Sequence, residues 1–140
     1  IAVAVATAIA YQHRDNPLSR GDFIEKILPH VPQGDVRLNS ILAQKLPRSD
    51  AVSIDQIVRF IGNGSSVTAQ DSVPFVLYCA GEKMTNFEDA FWLTASGGGD
   101  VDTTCAMVGG IVAMTVGTDG LPSEWLKRRE PLPDWAFRDA

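Results

Sequence analysis

Cysteine is scarce in this chain: 140 residues contain only Cys79 and Cys105, each inside an apolar run. A disulfide-dense scaffold is excluded, and two buried thiols in a reducing, cytoplasmic compartment are expected. Positive charge is also short, with twelve Lys and Arg against seventeen Asp and Glu and a net charge of −5. Nothing therefore draws the chain toward nucleic acid or an anionic membrane, and neither is expected as a partner. The apolar opening, Ile1 to Ala10, is too short to span a bilayer and runs straight into Tyr11-Gln12-His13-Arg14-Asp15-Asn16, so neither a membrane span nor a signal peptide is expected. No segment joins β-branched alternation to hairpin turn residues, and no internal repeat occurs. Hydrophobic residues at 45% and charged residues at 21% rule out a disordered tail or a collagen-like repeat. The length suits one domain or part of one, and because the chain opens on Ile1 inside an apolar run, it reads as cut from something longer.

The apolar spacing is that of helices. In the opening run large and small residues alternate as in a strand, but five alanines in ten positions favour a helix buried on all sides. Phe23, Ile24, Ile27, Leu28 and Val31 form one stripe, and Ile54, Ile57, Val58 and Ile61 another, each recurring at the interval that buries one helix face. Ser53 with Gln56, and Thr85 with Glu88, fit the capping box, which predicts helices from near 54 and 86. Joints are expected at Pro29 to Gly34, Pro47, Gly62-Asn63-Gly64, Gly81, Gly97-Gly98-Gly99 and Gly117 to Pro122. The fold class is therefore all-α. The tail from Pro131 to Ala140, with Trp135, is expected to run extended across the surface.

One segment carries chemistry: Ser96-Gly97-Gly98-Gly99-Asp100-Val101-Asp102-Thr103-Thr104. Three glycines end one helix and the next starts at once, placing Asp100 and Asp102 at its cap and first turn. A single Asp there is ordinarily just a cap. Two so close repel each other unless a cation lies between them, and a hard divalent metal suits oxygen ligands, with Thr103 or Thr104 offering a hydroxyl. Behind them Ala106, Gly109, Gly110, Ala113 and Gly117 make a small-residue stripe that lets another helix approach. The helix is thus expected to be central, with its first turn in a packed interior. The string Asp-x-Asp-x-Thr also describes the nucleophile loop of haloacid-dehalogenase-like phosphatases. That loop needs a strand leading into it, and Thr94-Ala95-Ser96 followed by three glycines is none.

The string from Ser96 to Ala113, followed by Gly120-Leu121-Pro122-Ser123-Glu124-Trp125-Leu126, resembles the carboxy-terminal signature of the ADP-ribosylglycohydrolases. These are all-helical hydrolases that remove ADP-ribose with a pair of Mg²⁺ or Mn²⁺ ions. Gly62-Asn63-Gly64, with Ala69-Gln70-Asp71-Ser72-Val73-Pro74, resembles that family's glycine loop and the helix after it. The resemblance implies a compact multi-helix orthogonal bundle, here incomplete, with residues 1–140 forming the carboxy-terminal part of one such domain. It implies that Asp100, Asp102 and Thr103 are half of the dinuclear metal site, with Asp102 bridging both ions. Gly62, Asn63, Gly64 and Ser65 would border ADP-ribose or an ADP-ribosylated substrate. The family's Thr-Asp-Asp motif, phosphate segment and acidic catalytic residue belong to the amino-terminal half, and no Thr-Asp-Asp occurs here. The chain alone is therefore expected to be inactive. A silent ADP-ribose-binding or structural member of the same fold is the alternative, and the intact pair Asp100 and Asp102 speaks against it. His13, His30, Trp92, Trp125 and Lys127-Arg128-Arg129 are expected to serve structure only.

Overall fold

The computed structural model describes residues 1–131 and residue 133; the rest of the tail, with Trp135, lies outside the described residues. The alanine-rich opening folds as α1 (Ala2–Gln12), its small side chains letting Ala2, Ala6, Ile9 and Ala10 sit against neighbouring helices. After it come α2 (Arg20–Ile27), α3 (Asp35–Lys45), α4 (Ile54–Ile61), α5 (Ala69–Glu82), α6 (Phe87–Ser96), α7 (Val101–Val116) and α8 (Ser123–Arg128). Among the described residues there is no strand, so the helix class holds and the lead-in to Asp100 is α6. No helix of the described residues is long and apolar enough to cross a membrane.

Both predicted stripes are buried: Phe23, Ile24 and Ile27 on α2, Ile57 and Ile61 on α4. The Ser53 box closes, with the Ser53 amide donating to Gln56 Oε1 at 3.2 Å. The second box does not form. Asn86, one residue later, accepts the Asp89 amide on its side-chain oxygen at 3.0 Å, so the helix starts at Phe87 and Thr85 stays outside it.

The central helix is α5 rather than α7. It packs against α1, α2, α3, α4, α6 and α7, and every residue from Pro74 to Gly81 is buried. Gly81 is no joint: α5 runs through it, and its missing side chain leaves room for Arg20, whose Cγ a Cβ there would meet at 2.8 Å. Pro74 inside the helix cannot donate to the carbonyl four residues back. That carbonyl, of Gln70, instead accepts the Asn39 side-chain amide of α3 at 3.0 Å. In contrast, α7 is buried on one face only, through Thr104, Cys105, Val108, Ile111 and Val112. Ala106, Gly110 and Gly117 of the small-residue stripe are exposed, because none of the described helices covers that side.

A buried ion pair fixes the connection between α3 and α4. Arg20 Nη1 lies 2.9 Å from Glu82 Oε2 with both side chains nearly buried, and it also donates to the Pro47 carbonyl at 3.1 Å. Its Nη2 donates to the Leu46 carbonyl, and the guanidinium lies 4.5 Å above the Tyr78 ring. Tyr78 donates its hydroxyl to Pro47 at 2.7 Å, and burial followed by the nearby Glu82 pushes that hydroxyl's pKa up to about 12. The Ser49 amide donates to Glu82 Oε1 at 2.9 Å. Cys79 and Cys105 are both free and buried, and burial raises both thiol pKa values, which leaves them protonated and unreactive near neutral pH.

Removing one partner of such a pair strands a buried charge. Glu82→Ala is expected to lower the unfolding free energy by about 3 kcal/mol in urea titrations, whereas Arg20→Met with Glu82→Leu restores most of it. A loss below about 1 kcal/mol for Glu82→Ala would show the pair to be no more than a surface bridge.

Candidate functional site

The site forms where two chain reversals meet. At the end of α4, Gly62 closes the helix, its amide donating to the Val58 carbonyl at 2.8 Å, and the chain turns through Asn63 and Gly64. At the end of α6 it turns again through Gly97, Gly98 and Gly99 before α7 begins. Two glycines are demanded by the contact itself. Gly64 has φ +91°, and a Cβ there would lie 2.9 Å from Asp100 Cβ; Gly99 has φ +73°, and a Cβ there would lie 2.4 Å from the Asn63 carbonyl oxygen. With both side chains missing, the two turns touch backbone to backbone, and the Asp100 amide donates to the Asn63 carbonyl at 3.3 Å.

Side chains complete the junction. Asn63 Nδ2 donates to the Gly97 carbonyl at 2.8 Å, and Asn63 Oδ1 accepts the Ser65 amide at 3.2 Å. Asp71, on the first turn of α5, accepts the Ser66 amide at 2.8 Å through Oδ2. The role of Asp71 escaped the sequence reading, although it stands inside the Ala69 to Pro74 string that resembled the family helix. The backbone amides of Ser65 and Ser66 are thus both engaged within the protein. The Gly64 backbone is buried beside the Ser72 hydroxyl, and Ser65 is exposed.

Asp100 sits at the N-cap of α7 but its carboxylate makes no capping hydrogen bond; only its backbone carbonyl takes up the first turn, accepting the Thr104 amide and hydroxyl, each at 2.9 Å. Thr104 is fully buried with its hydroxyl engaged, whereas Thr103 is exposed. Asp102 is exposed. Its carboxyl is held below the usual carboxylate range, first by the Asp100 carboxyl beside it and then by the backbone amides of Thr103 and Asp102. Among the described residues no Lys, Arg or His pairs with Asp100 or Asp102. The expected packed interior around this first turn is not found, because α7 presents it at the edge of its uncovered face.

That uncovered face forms a groove of 880 Å³, walled by Phe87, Phe91 and Trp125, floored by Gly109 and Gly110, and reaching Asp102. Trp125 of α8 packs edge-on against Phe91 at 5.0 Å and Phe87 at 6.0 Å between ring centroids, as rim packing requires. Trp92 lies at the same cluster's edge, 57% exposed.

The donor chemistry suits a hard cation: two carboxylates and one hydroxyl at a helix start, where the dipole and free amides favour negative charge. The count does not complete a shell. Such an ion takes about six oxygens, and among the described residues no cluster of three or more His, Cys, Asp or Glu is arranged to hold one.

Gly99→Ala is expected to destabilise the chain by about 1–3 kcal/mol, because the left-handed φ and the Asn63 carbonyl both refuse a Cβ. Gly110→Ala, with nothing within 4 Å of the added carbon, is expected to stabilise by about 0.5–1 kcal/mol through helix propensity alone. Urea unfolding of both variants checks the contrast, and a destabilised Gly110→Ala would mean that the groove is filled.

The family model described as ADP-ribosylglycohydrolase matches residues 1–139. An uncharacterized protein of Archaeoglobus fulgidus is 33% identical over 147 residues, covering 98% of this chain and 43% of that protein. ADP-ribosylhydrolase ARH3 of Danio rerio is 28% identical over 92 residues, covering 59% of this chain and 24% of that protein. The chain thus spans less than half the length of either relative. No solved structure matches it. A match over nearly the whole chain places it in the ADP-ribosylglycohydrolase family.

Proposed function

We propose that residues 1–140 are the carboxy-terminal part of a single ADP-ribosylglycohydrolase domain. In full it would be a metal-dependent hydrolase cleaving the glycosidic bond between ADP-ribose and a protein side chain or small molecule. The observation that carries this is the junction at Asn63 and Asp100, which sets a glycine loop against a pair of unpaired carboxylates. Asp100, Asp102 and Thr103 would hold their share of two divalent cations, Mg²⁺ or Mn²⁺, with the remaining ligands supplied from outside this chain. When bound, such ions supply Lewis acidity toward the ribose hydroxyls and the attacking water.

This chain's own residues contribute charge and shape. Asp100 and Asp102 place negative charge where an oxocarbenium-like transition state develops positive charge, a field fixed in advance by the helix start. Gly62, Asn63, Gly64 and Ser65 would form the edge that ADP-ribose meets: the bare faces of Gly62 and Gly64 are taken by Asp71 and Asp100, which sets the loop against the carboxylate turn, and the exposed Ser65 offers a hydroxyl to the ligand. The engaged amides of Ser65 and Ser66 hold the loop in shape before any ligand arrives, which lowers the ordering cost of binding.

In the full-length protein, Asp102→Ala is expected to abolish Mn²⁺ binding in calorimetric titration and hydrolysis of an ADP-ribosyl substrate, with circular dichroism unchanged. Asp102 is exposed at a helix start, so truncating it leaves the core intact. Hydrolysis surviving in the variant contradicts the assignment, and a wild-type protein that takes up no Mn²⁺ supports a silent member of the fold instead.

A further inference from the structure

We propose that Asn63 is a positioning residue. Its side chain ties the glycine loop to the carboxylate turn, so that cation and ligand are bound by a site ordered as one unit. This rests on the functional reading above and narrows it, since a polar side chain in a ligand loop would ordinarily be assigned to the ligand. Here both ends of the amide are spoken for by the protein. Nδ2 donates across the junction to Gly97, Oδ1 accepts from Ser65 within the loop, and the backbone carbonyl of the same residue accepts from Asp100. Gly99 covers the group: a Cβ there would lie 2.5 Å from Asn63 Cγ and Oδ1. One residue thus contacts both turns through three hydrogen bonds, and an amide so engaged loses more by turning to a ligand than it gains.

Asparagine is the side chain that fits. Alanine removes both side-chain bonds. Aspartate keeps the acceptor for Ser65 but sets a carboxylate against the Gly97 carbonyl and near Asp100. Because the loop and the Asp100 turn share this latch, ordering either one orders the other, and by linkage each ligand strengthens the other's binding by the same factor.

The test uses the full-length protein with Mn²⁺ and ADP-ribose as separate probes, and amide hydrogen exchange in Mg²⁺. In the wild type, Mg²⁺ alone is expected to slow exchange at Ser65 and Ser66 as well as at residues 100–103. In Asn63→Ala, Mn²⁺ affinity measured without nucleotide is expected to fall about fivefold or more, alongside a similar loss for ADP-ribose. A variant that weakens ADP-ribose alone, with nucleotide-free Mn²⁺ affinity untouched, would make Asn63 a direct ligand contact and overturn the proposal. So would wild-type protection confined to residues 100–103, a result that needs no variant to fold. A wild-type protein that binds Mn²⁺ but not ADP-ribose would sink the functional reading, while the Mn²⁺ and exchange readouts would still decide the latch.

Discussion

Two missing side chains, at Gly64 and Gly99, make the close approach on which the candidate site depends. Each stands at a positive φ, and each would drive a Cβ into the opposite turn, Gly64 toward Asp100 and Gly99 toward Asn63. Only backbone can pass backbone at that separation, and the reward is a hydrogen bond from the Asp100 amide to the Asn63 carbonyl. From this one contact follow the position of the glycine loop, the aim of the first turn of α7, and the juxtaposition of Asp100 with that loop.

The rest of the fold delivers the two turns to that meeting point. Central α5 holds α4 on one side and α6 and α7 on others, so the two turns emerge beside the same buried helix. At the far end of α5, Glu82 takes Arg20 and the Ser49 amide, pinning the segment that leads from α3 into α4. At the near end, Asp71 holds the loop after α4 through the Ser66 amide. A single helix therefore sets both where α4 begins and where the loop after it lies. The carboxylates reach little beyond their own turn: Asp100 makes no cap through its side chain, and the exposed Asp102 draws only on Asp100 and on the amides of Asp102 and Thr103.

What the sequence disclosed was local in origin. The stripes of α2 and α4 and the Ser53 box depend on residues within one or two turns of each other, and these were legible. So was the helix start at Asp100, because three glycines in a row allow little else. Thr85 and Asn86 are both good caps standing side by side, and spacing alone favoured the wrong one. Gly81 looked like a joint because a glycine near a helix end usually is one, whereas its reason is Arg20, sixty-one residues away in the chain. The small-residue stripe on α7 was read as a packed interface, but the same pattern describes a face left uncovered, and only the arrangement of the other helices separates the two. Asn63 and Asp71 act through contacts that no periodicity encodes. The family resemblance pointed to the Gly62 to Ser65 loop and could not say which way its side chains turn.

The central claim is that the Gly62 to Ser65 loop and the Asp100 turn form one cation-facing site. Residue-resolved amide relaxation with substoichiometric Mn²⁺ tests it most directly, since paramagnetic broadening reports proximity even when binding is weak. The account predicts that the amides of Gly64 and Ser65 broaden together with those of Asp102 and Thr103, while Lys26 on α2 and Leu42 on α3 stay sharp. Broadening at Asp102 and Thr103 that spares the loop, or broadening centred on other surface carboxylates such as Asp15 and Asp50, would contradict it.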